Sequence, residues 1–304
     1  MKIYLFILYL MIFSSIFSSL RAQSDISVID DTTRLQLKNI IEGVKSTLLQ
    51  DDQDLMMTED EIISYMDKLP PFSIYKDNYF ITGIPLNKRI DGETADAKFQ
   101  ISIRHRLTSS KLPFNSFLFL TYTQKSFWDI YQESAPFKDS NYNPGIGLGR
   151  YIVVDNRLTG AILLQLEHES NGRDSIESRS LNWVGLSGKY FITSNISFHL
   201  KVTVPYLLDE GNSDILDYRG TGFYTVDYKS LNDKWRFSGT FSPKKSVKSA
   251  NLKLTVAYKI SDRFNQYIFT EFYSGTGDTL LEYKRKDVQL RVGISIKPDF
   301  YNVF

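Results

Sequence analysis

From about Tyr79 onward, apolar residues recur at every second position, in runs near ten residues long. Successive side chains of a strand point to opposite faces, so this period marks strands with one apolar face. Ile196, Phe198, Leu200, Val202, Val204 and Tyr206 alternate with Ser197, His199, Lys201 and Thr203. Phe99, Ile101, Ile103 and Leu107 alternate with Lys98, Gln100, Ser102, Arg104 and Arg106. Leu252, Leu254, Val256 and Tyr258, and then Val288, Leu290, Val292, Ile294 and Ile296, repeat the pattern. One face is steadily apolar and the other polar to charged.

A soluble sandwich alternates too, so the period alone leaves two architectures open. Three features favour a membrane barrel. The strands are long enough for a tilted span. The N-terminus reads as an export signal. No separate helical layer is present to cover a sheet. Twelve strands are expected near 78–85, 96–107, 116–129, 143–154, 160–171, 180–191, 195–207, 218–230, 234–242, 250–260, 264–275 and 285–297. An even count suits a single-chain bacterial barrel. Aromatic residues make up 14% of the chain, a share that girdles at the two membrane interfaces would explain. Lys, Arg, Glu and Gln on the inner faces predict a lumen filled by polar networks and not a wide pore. The expectation is an all-β fold, a 12-stranded antiparallel transmembrane β-barrel over 76–304.

Residues 1–22 read as a signal peptide: Lys2, an apolar stretch from Ile3 to Phe17, then Ser18-Ser19-Leu20-Arg21-Ala22 as the cleavage region. An N-terminal membrane anchor is the competing reading. Residues 23–75 form a short N-terminal periplasmic segment, helical or partly disordered. Leu35, Leu37, Ile40, Ile41, Val44, Leu48 and Leu49 fall at helical spacing, and Pro70-Pro71 ends the region. There is no cysteine, hence no disulfide framework, thiol nucleophile or thiolate metal site. A net charge of +1 gives no pull toward nucleic acid.

One segment stands apart chemically. Leu166-Glu-His-Glu-Ser170 continues an apolar face through Ile162, Leu164 and Leu166 to His168 and Ser170. Base and nucleophile would sit side by side. If the chain turns near Ser175, Asn182 pairs across from His168 and can fix its tautomer, the third role of a triad. Two polar residues at a membrane rim is the plainer reading. His105 and His199 read as rim and lumen residues. Gly145, Gly147 and Gly149 lack the following helix of a phosphate loop. Asp209, Glu210 and Asp214 read as a solvated acidic loop.

The chain resembles the outer membrane phospholipase A family. The resemblance spans roughly 75–300 and is carried by Tyr122-Thr-Gln-Lys-Ser-Phe-Trp128, Glu133-Ser-Ala-Pro-Phe-Lys-Asp-Ser-Asn-Tyr-Asn-Pro144, His168-Glu-Ser-Asn-Gly-Arg173, Ser178-Arg-Ser-Leu-Asn182 and Tyr273-Ser-Gly-Thr-Gly-Asp-Thr-Leu-Leu-Glu-Tyr283. It implies a twelve-stranded barrel of the bacterial outer membrane that hydrolyses acyl esters of phospholipids and lysophospholipids at the A1 and A2 positions. It further implies calcium dependence, an active homodimer and a site facing the outer leaflet. By motif, Ser170 is the nucleophile, His168 the base and Asn182 its orienting residue. Ser178 would bind calcium through its side chain, Arg173 through its carbonyl and Ser134 through a carbonyl given to the partner subunit. Gln124 would lie on the dimer seam. The chain departs from the family at Ser175, where an acidic residue is usual, and at Ala135 in Ser134-Ala135-Pro136. Two rivals remain: an inactive barrel with a channel or structural role, and an exported soluble barrel that binds lipid inside.

Overall fold

A computed structural model describes residues 55–108, 112–244 and 249–301. The expected signal peptide and the helical spacing at 35–49 lie outside the described residues. After a helix, α1 (Glu59–Lys68), the chain runs through β1 (Phe72–Ile74), β2 (Asn78–Pro85), β3 (Asp96–Arg106), β4 (Phe117–Trp128), β5 (Phe137–Val154), β6 (Arg157–Ser170), β7 (Ser180–Thr193) and β8 (Ile196–Leu208). A short helix, α2 (Ile215–Arg219), precedes β9 (Gly222–Lys229), β10 (Trp235–Pro243), β11 (Ala250–Lys259), β12 (Gln266–Gly275) and β13 (Asp287–Ile296).

Every pairing is antiparallel, each strand from β2 to β13 pairs with its neighbours, and β13 pairs with β2. The sheet therefore has no free edge, as a membrane requires. β1 and β2 occupy the same edge of β3: Ile74 faces Ile103, and Tyr79 faces Gln100. They form one stave broken at 75–77, so thirteen segments build the expected twelve-stranded barrel.

The faces are inverted relative to a water-soluble sheet. Leu164 is 50% exposed on the outside, whereas Lys98 and Arg291 inside are 1% and 3% exposed. Ile101, Leu120, Leu148, Leu254, Ile268 and Val292 continue the exposed apolar face. The barrel's outer solvent is lipid, and its charged groups pair with one another inside.

The two ends differ. At one end β5 and β6 meet through Asp155-Asn156, both at positive φ (52° and 56°), the geometry of a tight hairpin turn. There Leu55, Ile62 and Met66 pack against Phe117, Phe119, Leu158, Phe191 and Phe300, so α1 closes this mouth. At the other end the connections are longer. Leu181 and Trp183 pack with Ile215 of α2 and with Leu280 and Tyr283. Short turns are periplasmic and long loops extracellular in barrels of this kind. A 460 Å³ cavity lies within the barrel, lined by groups such as Lys98, Glu167, Lys201 and Glu271.

Three elements differ from the sequence expectation. β1 pairs with β3 at 72–74, a stretch that the sequence places ahead of the barrel. β5 begins at Phe137, earlier than the expected 143, because Asp139, Ser140 and Asn141 pair with β4 although they lack apolar alternation. Residues 218–221 are not strand: α2 ends at Arg219 and Gly220 turns the chain at φ 81°.

Candidate active site

His168 and Ser170 end β6, and Asn182 opens β7. The chain between them turns over at Ser175–Glu177, as expected. Register puts His168 opposite Asn182 and Ser170 opposite Ser180. His168 Nδ1 lies 2.9 Å from Asn182 Oδ1. A carbonyl oxygen can only accept, so this orientation places the ring proton on Nδ1 and leaves Nε2 a lone pair. Ser170 shares the outward face of β6 with His168. Its hydroxyl has no hydrogen-bond partner among the described residues. Exposed Ile162, Leu164 and Leu166 lead up to the pair. The structure thus brings the three together on lipid-facing surface.

Neighbouring strands adapt to this point. Tyr142 of β5 faces Ser170, and the same register sets Pro144 opposite His168. Proline has no N–H to give the ladder. Asn143 Nδ2 supplies the missing donor to the His168 carbonyl at 2.8 Å. Past Ser170, Gly172 turns at φ 65°, and a Cβ there would meet the Tyr142 ring at 3.1 Å. Among the described residues nothing accepts the Gly172 N–H.

Buried Asn171 organises the loop. Its Oδ1 accepts from the Arg173 and Arg179 N–H groups at 3.3 and 3.0 Å, and its Nδ2 donates to the Glu177 carbonyl at 2.8 Å. The Arg173 guanidinium pairs with Glu177 and donates to the Lys138 carbonyl at 2.6 Å. Ser178 Oγ lies 3.3 Å from Asp209 Oδ2. Ser134, at φ 64°, stands in the separate β4–β5 connection, and no bond joins it to Arg173 or Ser178 among the described residues. Trp128 occupies the neighbouring Ala135 carbonyl at 2.7 Å. Gln124 shares the outward face of β4 with Leu118, Leu120 and Tyr122. It accepts from the Tyr122 hydroxyl at 3.1 Å and donates to Ser126 at 3.2 Å.

Other residues take the plainer roles. His105 is exposed at the rim and His199 lines the cavity. Asp209 caps a short turn by accepting from the Gly211 N–H at 2.7 Å. Lys284 and Tyr283 hold the Asp214 carboxyl below its ordinary range. Glu167 and Glu169, unassigned from the sequence, are buried behind the triad.

Residues 69–296 match the family profile described as Phospholipase A1. The chain belongs to the phospholipase A1 family. Phospholipase A1 of Klebsiella pneumoniae is 31% identical over 213 residues, 67% of this chain and 71% of that protein. Its counterpart in Escherichia coli strain K12 is 30% identical over a stretch of the same length. The structure of outer membrane phospholipase A from Escherichia coli aligns at a TM-score of 0.67 and 24% identity, covering 75% of this chain and 99% of that one. A calcium-bound dimer of the Salmonella typhi outer membrane phospholipase aligns at the same score and identity, over 79% and 98%. Both share the barrel fold of this phospholipase A1 family member.

Proposed function

We propose that this phospholipase A1-family barrel hydrolyses the acyl esters of phospholipids and lysophospholipids, at both A1 and A2 positions, with Ser170, His168 and Asn182 as its triad. The carrying observation is the 2.9 Å contact between His168 Nδ1 and Asn182 Oδ1, on apolar outward surface beside Ser170. A lipid ester reaches this surface from the bilayer, with its chains along Ile162, Leu164 and Leu166. Ser170 Oγ attacks the acyl carbonyl while His168 Nε2 takes its proton. Asn182 holds the imidazolium that forms. The Gly172 N–H faces the charge developing on the carbonyl oxygen. His168 then protonates the departing alcohol, and in the second half activates the water that frees the fatty acid from Ser170.

Calcium fits the chemistry of the nearby oxygens. The Arg173 and Ser134 carbonyls have no donor among the described residues, and Ser178 presents a hydroxyl. These are hard, uncharged donors of the kind calcium accepts. Ser178 Oγ and the Arg173 carbonyl would hold the ion together with the Ser134 carbonyl of a second copy. Bound there, calcium would supply positive charge beside the oxyanion. The active state is then a homodimer, with Gln124 on its seam, in the bacterial outer membrane with the site toward the outer leaflet. Residues 1–22 serve as signal peptide and 23–75 as a periplasmic segment ahead of the barrel domain.

The test is fatty-acid release from phospholipid by the full barrel in detergent micelles, with calcium, with a chelator and with Ser170→Ala. Release that needs calcium and is lost in the variant supports the reading. Release that survives Ser170→Ala overturns the assigned nucleophile. No release from the folded wild type favours the inactive barrel.

A further inference from the structure

The inner face of β6 carries Gln165, Glu167 and Glu169, each at most 5% exposed. Glu169 lies between His168 and Ser170 in the chain and points the opposite way. Its Oε2 is 2.7 Å from Arg219 Nη1, at the end of α2. The same guanidinium sits over the Trp183 ring, 5.4 Å from its centroid. Trp183 directly follows Asn182. Its indole N–H donates to Glu167 Oε1 at 3.0 Å, and Lys201 pairs with that carboxylate as well. The two neighbours of His168 and the residue after Asn182 are therefore tied into one luminal cluster.

That cluster sits where the flanking ladders are interrupted. On one side Pro144 of β5 faces His168 and cannot donate. On the other the β7–β8 register shifts between Asn182 and Trp183: Asn182 faces Leu207 and Trp183 faces Pro205, so Tyr206 is an extra residue. A bulge increases local twist and frees a strand from its neighbour. At the triad only the β6–β7 ladder itself is continuous.

We propose that Glu169 and Arg219 are positioning residues for the triad: their ion pair beneath β6 holds the β6–β7 ladder in the twist that keeps His168 on Asn182. This rests on the triad reading above. It makes α2, an extracellular helix packed through Ile215 on Leu181 and Trp183, part of the support of the site. The pair touches no substrate and acts through the backbone it pins.

The test uses the full chain in micelles with Glu169→Ala, Arg219→Met and the charge-swapped double variant Glu169→Arg with Arg219→Glu. Three quantities are read: kcat and KM separately, folded fraction by heat-modifiable gel migration, and the His168 ring nitrogen resonances. Both single variants are expected to lower kcat about tenfold or more with KM nearly unchanged, because catalytic geometry tolerates little displacement. The Nδ1–H signal should leave its hydrogen-bonded position, and the swapped pair should recover part of the kcat that Glu169→Ala loses. An unchanged kcat in folded Arg219→Met overturns the proposal, as does a lower kcat with an unmoved His168 resonance. Arg219 lies on α2 outside the strands, so its variant carries the test if Glu169→Ala does not fold. A wild type that releases no fatty acid would sink the hydrolase reading, while the His168 resonance would still report whether the pair positions it.

Discussion

Asn182 supplies a neutral acceptor where a stronger one would be a carboxylate, so its contribution should be that of a single hydrogen bond. Such a bond is worth about 0.5–1.5 kcal/mol, and Asn182→Ala is expected to lower kcat by about two- to tenfold with little change in KM. Fatty-acid release across a substrate series checks this. Gly172→Ala should cost more than its size suggests. The backbone there is left-handed at φ 65°, and the new methyl group would press on the Tyr142 ring. A penalty of about 1–2 kcal/mol for the left-handed conformation should appear as lower thermal stability of the loop and lower kcat together. Unchanged activity in Gly172→Ala would mean that neither the left-handed backbone nor the Tyr142 ring limits the site there. The pairing of His168 with Asn182 and the shared face of His168 and Ser170 were legible in the sequence because strand period and hairpin length are local properties. Glu169 was not. In the sequence it reads as one more acidic residue between two of interest, and its partner Arg219 is brought to it only by closure of the barrel.

The bounds of α1 were only coarsely legible, since 23–75 reads as a segment that is helical or partly disordered. Its first turn lies in the acidic stretch from Asp51 to Glu61. Thr58 and Glu61 form a capping box: the Glu61 N–H donates to Thr58 Oγ1 at 3.2 Å, and the Thr58 N–H donates to Glu61 Oε2 at 2.8 Å. The Thr-x-x-Glu spacing could have revealed the start, and Leu69 before Pro70 marks the end. Ile62 and Met66, one turn apart, then face the barrel mouth. Asp67 pairs with Arg106 at 3.0 Å and secures the helix to β3. Thr58→Ala is expected to cost about 1 kcal/mol through loss of the cap. Ile62→Asp should do far more, placing a carboxylate among Phe117, Leu158 and Phe191. The expected outcome is faster proteolysis within 55–70 and water entry at that mouth, read by hydrogen exchange. The barrel strands should keep their protection. Equal protection in wild type and Ile62→Asp would mean that α1 is not held by this packing. The strands themselves were legible to within a few residues, except where polar β5 residues are kept in register by β4.

At the scale of the whole molecule, the barrel trades an apolar core for a charged one. Lys98 Nζ lies 2.7 Å from Glu271 and 2.9 Å from Asp278, and Arg291 pairs with Asp96 at 2.7 Å and with Asp278 at 3.4 Å. Period-two alternation predicted that charges would face inward, but it could not say which would meet, because these partners belong to distant strands and to the loop after β12. Asp278 shows how the network should respond to pH. Burial alone would raise its carboxyl, but Lys98, Lys125 and Arg291 outweigh that effect and hold it well below the usual carboxylate range. A group whose folded pKa is depressed contributes its full stability above the unfolded value, about 4 for Asp. The contribution declines as pH falls below that value and is gone once pH passes the folded one. Between pH 7 and about 4 the wild-type unfolding midpoint should therefore owe no slope to Asp278. Asp278→Asn should lower stability across that range, because Lys98 and Arg291 keep Glu271 and Asp96 but lose one of the carboxylates that offset their burial. Below pH 4 the variant should lose less further stability than the wild type, because it has no carboxylate at this position to protonate. Urea unfolding in micelles from pH 7 down to 2, followed by tryptophan fluorescence, reads both slopes. Parallel curves over the acid range would mean that Asp278 does not keep its charge in the lumen, and the cluster would have to be held by Asp96 and Glu271 alone.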